Sequence, residues 1–346
     1  MNPDEKMREN GGAPGDWPFV SVIMPVRNEA DFIERSLGAV LAQDYPSGRL
    51  EILVVDGMSR DGTREMVARL AERSRRFPVV ILDNPDHIVS PALNKGLERA
   101  KGEIIIRVDG HCEIPPDYVR RCVAALEKTG ADCVGGILVT VGQTRLASAI
   151  ALAQSSFFGV GGVSFRMTGV KARFVDTVAF GAYRREVFRR IGDFDEELVR
   201  NQDDEFNLRL IQSGGKIWLD PSIRTVYYSR ATLRSLWRQY FQYGFYKVRV
   251  IQKRGKVPSW RHLVPAAFVA ALAVSLGLAL VTRRACWGFM VIVLYAAASL
   301  AAGLWTARRN WRTLPLLPAV FATLHVAYGL GFLWGLWRWR GKWKKN

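Results

Sequence analysis

No aspartate or glutamate follows Asp220 in this chain of 346 residues, although the last third contains 20 lysines and arginines. The whole chain has 49 basic and 32 acidic residues, which leaves 29 basic and 32 acidic residues up to Asp220 and a net charge of −3 there. The overall net charge of +17 therefore comes entirely from the last third. The first two thirds have the charge balance of an ordinary soluble domain and lack the basic excess of a nucleic-acid-binding domain.

Cysteine is also scarce, and its spacing indicates no disulfide framework. The four cysteines form no CxxC pair, and reduced thiols on the cytoplasmic side are expected. Residues 1–17 lack the apolar run of a secretory signal, and we interpret them as a disordered lead-in. No GxGxxG follows the first predicted strand and no GxxxxGK precedes a Ser or Thr, so neither a dinucleotide-binding fold nor a P-loop is supported.

Continuous apolar runs alternate with amphipathic segments in the first half of the chain. The runs FVSVIM, LEILVVDG, PVVILDN and EIIIRVDG predict buried strands, the first of which should stop at Pro25. Helical spacing in EADFIERSLGAVLAQ, DGTREMVARLAERS and SPALNKGLERAKG predicts a helix after each of the first three strands. The pattern predicts an α/β domain over residues 18–226, with a mostly parallel sheet and helices on both faces. Ligands in such sheets bind beyond the carboxyl ends of the strands.

Three long segments without a charged residue lie in the last third, at residues 263–281, 285–307 and 314–337. A bilayer-spanning helix needs about 20 such residues, and Arg, Lys and Trp cluster at the segment ends as interfacial anchors do. We expect a membrane domain over residues 263–337 with two spans. The third segment is either a further span or a re-entrant segment. Three full spans would put the basic tail, residues 338–346, opposite the α/β domain and against the positive-inside tendency, whereas a re-entrant third segment would keep it on the same side. A buried helical hairpin in a soluble domain is the alternative.

The segment LRSLWRQYFQYGFYKVRVIQKRGK mixes basic and aromatic residues directly before the first apolar segment. Its position favours amphipathic interfacial helices over residues 227–262 that face anionic lipid. A basic and aromatic stripe that binds nucleic acid is the alternative.

The stretch RVDGHCEIP follows the fourth predicted strand and places an acid and an imidazole two residues apart. Asp109 at the strand end, with Gly110 permitting a close approach, suits a Mg²⁺ or Mn²⁺ ion that is held largely by phosphate oxygens and water. His111 in the third position tilts the choice towards Mn²⁺. A simple Asp-Gly turn is the alternative, but Asp56 at the end of a parallel strand favours a shared site.

Further candidates lie at the same predicted edge and in a second acidic cluster. Asp56 can accept hydrogen bonds from a nucleobase or a ribose hydroxyl, or it is a turn or helix-capping residue, and Asn28 and Glu29 are open to the same two interpretations. In NQDDEFNLRL, a helix cap and the macrodipole account for one acid but not for three adjacent ones. A carboxylate there would serve as a general base, with Asp203 the first candidate and Asp204 the second.

Five stretches, taken in order, resemble glycosyltransferase family 2: SVIMPVRNEADFIERSL, EILVVDGMSRDGT, ALNKGLERAKGEIIIRVDGHCEIPPDYV, FGAYRREVFRRIGDFDEEL and NQDDEFNLRL. The resemblance covers about residues 19–244 and implies the GT-A fold, with inversion of configuration at the anomeric carbon of the donor. The tail, with HVAYGLGFLWGLWRW, looks most like the subgroup that builds succinoglycan-type exopolysaccharides on a lipid carrier.

The resemblance implies roles for individual residues. Asp109 matches the first acid of the family's DxD motif, His111 stands where the second acid is usual, and both are the implied metal ligands. Asp203 matches the family's catalytic base, and Asp56 would hold the nucleobase, normally uracil. The implied nucleotide-sugar-binding residues are Pro25, Val26, Glu29, Asp56, Asn94, Lys95 and Asp109.

Two further departures from the family's pattern, besides His111, qualify the resemblance. The His that often follows the next strand as a metal ligand is replaced by Tyr227 and Tyr228. In WRQYFQYG, Gln242 and Tyr243 replace the Arg-Trp of the QxxRW motif of processive synthases, which implies transfer of a single sugar per encounter.

The sequence thus predicts a multi-pass protein of the inner (plasma) membrane whose catalytic domain faces the cytoplasm. The expected donor is a UDP-sugar with Mg²⁺ or Mn²⁺, and the expected acceptor is a polyprenyl-diphosphate-linked glycan met at the lipid surface, with no nucleic acid partner. One alternative is an enzyme of the same fold that glycosylates polyprenyl phosphate itself. The other is a non-catalytic membrane scaffold that binds nucleotide or nucleic acid.

Overall fold

The computed structural model describes residues 17–167 and 169–343, which form two compact units. The first unit contains residues 17–139 and 169–227, and the second contains residues 140–167 and 228–343. The segment 140–167, which our sequence boundaries assign to the α/β domain, thus groups with the apolar helices. The predicted lead-in before Trp17 and the last three residues of the basic tail lie outside the described residues.

The secondary structure elements are numbered in chain order. The strands are β1 (Val20–Val26), β2 (Leu50–Asp56), β3 (Val79–Asp83), β4 (Ile104–Arg107), β5 (Cys112–Glu113), β6 (Cys133–Val141), β7 (Arg173–Val175), β8 (Ala182–Arg184) and β9 (Ile217–Tyr228). The helices are α1 (Ile33–Leu41), α2 (Thr63–Arg73), α3 (Val89–Arg99), α4 (Tyr118–Thr129), α5 (Arg145–Gln154), α6 (Phe157–Val160), α7 (Arg185–Ile191), α8 (Gln202–Gln212), α9 (Leu233–Arg254), α10 (Val264–Thr282), α11 (Ala285–Ala307) and α12 (Leu317–Arg338).

The first four strands form the parallel half of one mixed sheet, in the order β3-β2-β1-β4. Every residue of β1 and β2 is buried, as continuous apolar runs predict for strands that are covered on both faces. The helices α1, α2 and α3 follow the first three strands, and α1 buries Ile33, Leu37 and Val40 at helical spacing. The predicted alternation of strands and helices is confirmed.

The first strand does not stop at Pro25, contrary to the sequence prediction, but continues to Val26. Pro25 stays in register with Val55 of β2. On the opposite side, the carbonyl oxygen of Ile23 accepts a hydrogen bond from Val108 N at 3.1 Å, one residue beyond the end of β4. Because alternate residues of a strand face the same neighbour, Pro25 faces a position where β4 has already ended, and its missing N–H breaks no ladder.

The second half of the sheet is antiparallel, which the sequence did not indicate. It continues in the order β4-β8-β6-β9-β5, and β7 also pairs with β9. The short strand β5 places Cys112 opposite Tyr227 and Glu113 opposite Val226. The end of β9 is thereby fixed beside the turn that contains Asp109 and His111.

Three helices of the second unit are long and apolar enough to cross a bilayer, at Trp260–Thr282, Ala285–Ala307 and Trp311–Arg338 including their flanking turns. The third differs from the others, because 44% of its most apolar window is buried within the protein, against 17% and 11%. The predicted interfacial region contains one long helix, α9, whose first turn is capped by Thr232: its Oγ1 accepts a hydrogen bond from Ser235 N at 3.2 Å.

Candidate active site

The loops that follow β1 and β2 are tied together at the carboxyl edge of the sheet. Asn28 adopts a left-handed conformation (φ 53°), its N–H donates to Ser59 Oγ at 2.9 Å, and its Oδ1 accepts from Arg60 N at 3.0 Å. The N–H of Glu29 donates to Thr63 Oγ1 at 2.8 Å. These bonds fix the backbone around Val26 and Glu29, so that this part of the predicted nucleotide pocket has a defined shape.

Asp56 is buried at the end of β2, with its side chain only 2% exposed. Its Oδ1 accepts a hydrogen bond from Ser59 Oγ at 2.6 Å, and its Oδ2 lies 3.3 Å from Arg64 Nη1. Arg64 is also paired with Asp83 at 2.7 Å, and these bonds raise the pKa of its guanidinium. The contacts of Asp56 are those of a turn-forming acid at a strand end, and its predicted role in holding a nucleobase stays a prediction.

Asn94 and Lys95, which were predicted to lie near the nucleobase, have different surroundings. Asn94 is buried, and its carboxamide bonds the backbone of Phe194 on both sides, donating to the carbonyl oxygen at 2.9 Å and accepting from the N–H at 3.0 Å. Lys95 Nζ pairs with Asp86 at 2.8 Å and lies 3.3 Å from Asn84 Oδ1. Since the Asn84 N–H donates to the carbonyl oxygen of Asp56 at 2.8 Å, Lys95 is near the β2 edge, whereas the Asn94 amide is engaged with the chain before α8.

His111 is held by a carboxylate and an aromatic ring from distant parts of the chain. Its Nδ1 lies 2.8 Å from Glu29 Oε1, and its ring meets the Tyr227 ring edge-on at a centroid distance of 5.2 Å. A carboxylate on one imidazole nitrogen orients the ring and leaves the other nitrogen for a ligand, as is common around metal-binding histidines. Tyr227, which stands where the family often has a His, therefore does lie beside the predicted metal ligand.

Gly110 allows this arrangement to form. A Cβ at Gly110 would lie 2.9 Å from Glu29 Cγ and 3.1 Å from Val26 Cγ1, which is too close for an undisturbed side chain. The Gly110 carbonyl oxygen accepts a hydrogen bond from Ser36 Oγ at 2.7 Å. The turn after β4 is therefore pressed against the end of β1, and Val26 lies between Gly110 and its register partner Asp56.

Asp109 makes a two-point ion pair with Arg107, a residue that the sequence analysis did not single out. Arg107 Nε donates to Asp109 Oδ1 at 2.7 Å and Arg107 Nη2 donates to Oδ2 at 2.9 Å. Both side chains are largely buried, at 11% and 15% exposure, and Arg107 also lies over the Phe180 ring at 5.6 Å. The third nitrogen, Nη1, is buried without a hydrogen-bond partner among the residues that the structure describes.

Asp203, at the start of α8, shares the electrostatic environment of Arg107. Burial by itself would lower the pKa of Arg107, but the charge and hydrogen bonds of Asp109, together with the charge of Asp203, raise it well above its usual value. Asp203 Oδ1 accepts a hydrogen bond from Asp204 N at 2.9 Å. Two acids that lie 94 positions apart in the sequence, Asp109 and Asp203, therefore act on one buried guanidinium.

Arg107 could have been found from one signal, namely a charged residue at the end of the otherwise apolar run EIIIR. Arg209 has a different set of partners: its Nη2 donates to the Asp193 carbonyl oxygen at 2.6 Å and lies 3.2 Å from Glu205. The structure thus brings Glu29, Asp109, His111 and Asp203 towards one region, with Asp56 across Val26 from it.

The residues present fit a cation that is shared with a ligand. Among residues 17–167 and 169–343, no group of three or more His, Cys, Asp or Glu side chains could hold a metal ion alone. Asp109 keeps lone pairs beyond those used by Arg107, and His111 keeps its second ring nitrogen. Mg²⁺ and Mn²⁺ accept such a sparse donor set when phosphate oxygens and water complete the coordination. A cation at this edge would therefore need the diphosphate of a ligand.

Comparison with known proteins adds information that the geometry does not contain. Residues 21–192 match the family model of Glycosyl transferase family 2. The chain is 36% identical over 315 residues to the succinoglycan biosynthesis protein ExoA of Rhizobium meliloti (strain 1021), which covers 90% of this chain and 93% of that protein. It is 29% identical over 241 residues to a dolichyl N-acetyl-alpha-D-glucosaminyl phosphate 3-beta-D-2,3-diacetamido-2,3-dideoxy-beta-D-glucuronosyltransferase of Methanococcus voltae, which covers 68% of this chain and 74% of that protein.

Among solved structures, the mannosyltransferase PcManGT from Pyrobaculum calidifontis, in complex with GDP-Man and Mn²⁺, has a similar fold. The TM-score is 0.60 at 22% sequence identity, and the match covers 95% of this chain and 93% of that chain. The mixed sheet described above is the GT-A fold, as the sequence predicted.

Proposed function

Because this chain belongs to glycosyltransferase family 2, we propose that it transfers a sugar from a nucleotide-sugar donor to a lipid-linked acceptor with inversion at the anomeric carbon. The observation that carries the proposal is the two-point ion pair between Arg107 and Asp109, together with the charge of Asp203 acting on the same guanidinium. It joins an acid suited to a cation and an acid suited to accept a proton at one edge of the sheet. A cation would neutralise the departing nucleoside diphosphate, and the base would accept the proton of the attacking hydroxyl group.

The donor is a UDP-sugar, bound with its base towards Asp56 and its diphosphate towards Asp109 and His111. Pro25, Val26 and Glu29 form the wall between these groups, since Val26 pairs with Asp56 and contacts the Gly110 position. Asp109 and His111 would hold a divalent cation, Mn²⁺ or Mg²⁺, together with the diphosphate oxygens. When bound, the cation supplies positive charge to the departing diphosphate. Arg107 Nη1, which has no hydrogen-bond partner within residues 17–167 and 169–343, provides a second donor for the same negative charge.

Asp203 is the general base. Its carboxylate takes the proton from an acceptor hydroxyl as the oxygen forms a bond to the anomeric carbon, and the bond between that carbon and the diphosphate oxygen breaks on the opposite face. The configuration is therefore inverted and no covalent enzyme intermediate is required.

The acceptor is a glycan on a polyprenyl diphosphate, at the cytoplasmic face of the inner membrane. Two observations support it. The described part of the chain has three helices apolar enough to cross a bilayer, and the names of two relatives refer to succinoglycan biosynthesis and to a dolichyl-linked sugar phosphate. A lipid-anchored acceptor binds at the bilayer surface, and the membrane helices would hold the catalytic domain there. The altered WRQYFQYG segment supports addition of one sugar per encounter.

The test is turnover by the purified full-length protein in lipid vesicles. A panel of radiolabelled UDP- and GDP-sugars is offered with lipid-linked sugar or with bare polyprenyl phosphate, with Mn²⁺, Mg²⁺ or a chelator. We expect transfer from a UDP-sugar to the lipid-linked sugar, dependent on the cation. If sugar were transferred only to bare polyprenyl phosphate, that lipid would be the acceptor instead of a lipid-linked glycan. The absence of transfer in every arm would contradict the proposed activity.

A further inference from the structure

Helices α9 and α12 of the second unit lie side by side and run in the same direction. Their contacts, in order along both helices, join Phe241 to Gly331, Phe245 to Gly335 and Gln252 to Trp339. The last of these is a hydrogen bond of 2.9 Å from Gln252 Nε2 to the Trp339 carbonyl oxygen. Because the positions on the two helices rise together over about three turns, the helix axes are close to parallel.

Glycine residues permit this close packing. A Cβ on Gly335 would lie 2.8 Å from the Phe245 carbonyl oxygen, and a Cβ on Gly244 would lie 2.8 Å from Phe332 N. A Cβ on Gly331 would overlap the backbone of Phe241. Small residues on both helices let their backbones approach, which is how helices associate when lipid removes the hydrophobic drive between them. The two helices therefore behave as one unit, here called the α9–α12 pair.

α9 cannot cross a bilayer. Its 22 residues include six lysines and arginines, and it is not one of the three candidate spans. A Lys or Arg at the centre of a spanning helix costs about 2.5 to 3.5 kcal/mol. Since α12 is fixed alongside α9 with the same direction, α12 cannot cross the bilayer while α9 stays at its surface.

The other two apolar helices form a hairpin with a different environment. In α10 and α11, Phe268 stacks on Tyr295 at 4.4 Å between ring centroids, and Gly288 lies beside Ala279. The outer surface of the hairpin is strongly apolar and open, with Leu280 at 81% exposure. Such a surface is compatible with lipid chains and not with water.

α12 approaches α10 near the start of α10. Gly329 approaches Pro265 and Val269, in the first two turns of α10. The next glycines of α12, Gly331 and Gly335, contact α9 instead of the later turns of α10. The second half of α12 therefore does not extend along the hairpin towards its closed end.

We propose that the α9–α12 pair rests on the surface of an anionic phospholipid bilayer, and that only the α10–α11 hairpin crosses it. The third apolar segment is then not a span. Basic residues from α9, from the 308–312 turn and from the tail after Arg338 fall on one side, whereas Arg283 and Arg284 fall on the other. That distribution satisfies the positive-inside tendency, and the absence of acids after Asp220 suits anionic headgroups.

The outer seam of the pair supports a position at headgroup depth. A shallow groove of about 440 Å³ there is lined by Trp237, Arg238, Phe241, Tyr246 and Trp334. Trp and Tyr beside a basic residue are typical of the boundary between lipid and water, where the ring is partly apolar and its polar edge stays hydrated. The inference does not depend on sugar transfer, because it concerns only the membrane helices.

The test is the sidedness of single cysteines in the full-length protein. Cys112, Cys122 and Cys133 are buried and Cys286 is exposed, so Cys286→Ser provides a background of low reactivity. Into it, Ser47→Cys reports the side of the first unit, and Gly341→Cys, which has open space around its Cβ, reports the side of the tail. A membrane-impermeant maleimide is applied to spheroplasts and to inside-out vesicles.

We expect Ser47→Cys and Gly341→Cys to be labelled from the same face of the membrane. Labelling from opposite faces would show a third span and overturn the inference. A second measurement uses spin labels in reconstituted vesicles of anionic phospholipid: one at Leu330 of α12 should lie at headgroup depth, and its matched control at Val274, in the middle of α10, should lie near the bilayer centre. Equal depth at both positions would also overturn the inference.

Discussion

The Arg107 guanidinium binds both carboxylate oxygens of Asp109, at 2.7 and 2.9 Å, at the point where a buried parallel strand ends. A bidentate pair of this kind fixes the direction of the carboxylate as well as its charge. Asp109 therefore has a set orientation before any ligand arrives, and the remaining lone pairs of its oxygens are those that a cation would meet.

Replacement of Arg107 with Gln should lower kcat/KM by about a hundredfold, the effect expected for loss of one preorganised electrostatic contact. It should also destabilise the protein by about 3 kcal/mol, because Asp109 is left buried without its partner. Arg107→Lys keeps the charge but loses the two-point contact, so it should recover only part of the activity. The control is Arg121→Gln, since Arg121 pairs with Asp117 at a partly exposed position and its loss should change both quantities little. Equal activity of Arg107→Gln and the control would contradict the role of Arg107.

Replacement of Asp203 with Asn should reduce kcat by about a thousandfold, within the range for loss of a general base. Donor affinity, measured by equilibrium binding of the UDP-sugar, should stay unchanged. Asp204→Asn is the matched control, because it removes the same charge one residue further along the helix. If Asp204→Asn proved the more damaging change, the base would have to be reassigned to Asp204, our second candidate.

The cation site should respond to His111 and to the carboxylate that orients it. His111→Asp restores the acid that the family usually has, and it should shift the preference from Mn²⁺ towards Mg²⁺, which favours oxygen ligands. Glu29→Gln should raise the Mn²⁺ concentration needed for half-maximal rate by about tenfold, as loss of a supporting carboxylate does elsewhere. Mn²⁺ binding in the presence of UDP, followed by electron paramagnetic resonance, gives a readout independent of turnover. Glu34→Gln, on the exposed side of α1, should change nothing.

Replacement of Gly110 with Ala should damage the site through sterics alone. The new Cβ would lie 2.9 Å from Glu29 Cγ, so Glu29 has to move away from His111. We expect a loss of about 1 to 3 kcal/mol of stability together with weaker dependence of the rate on Mn²⁺. Gly38→Ala in α1 meets nothing within 4 Å and should be neutral or slightly stabilising. Thermal unfolding of both variants measures the difference, and identical curves would show that the turn can relax.

Replacement of Gly331 with Leu should separate α9 from α12. The side chain would have to occupy space that the Phe241 backbone fills, and we expect destabilisation of about 3 kcal/mol, at the upper end of overpacking effects. Gly277→Leu is the matched control in another apolar helix, since a Cβ there has nothing within 4 Å. Thermal unfolding in detergent compares the two variants. A stable Gly331→Leu protein would mean that the two helices are not held by this contact.

The parallel half of the fold could be predicted because each strand there is a continuous apolar run between amphipathic helices. The antiparallel half could not, since β5, β7 and β8 have two or three residues and show no periodicity. The sequence predicts a strand end at Pro25 because a proline normally interrupts a ladder, and only the early end of β4 explains why the strand continues. Local sequence contains no information about where a neighbouring strand stops.

The residues of the candidate site also divide into those that the sequence could identify and those that it could not. Asp109 and His111 could be found because they share one turn after a predicted strand, and their roles stay predictions. Arg107 was missed because a single charge at a strand end is usually solvated. The contacts of Asn94 with Phe194 join positions 100 residues apart, and no pattern in the sequence signals such a bond.

The contact between Asn94 and Phe194 has a consequence for the position of the proposed general base. Phe194 belongs to the stretch of chain that leads into α8. The buried Asn94 carboxamide donates a hydrogen bond to the Phe194 carbonyl oxygen and accepts one from the Phe194 N–H. Through this contact, helix α3 helps to position the stretch of chain that leads to Asp203, the proposed proton acceptor. If these two hydrogen bonds were lost, the donor-binding residues would keep their positions but Asp203 would no longer be held in place. Water would then react with the activated sugar instead of the acceptor hydroxyl.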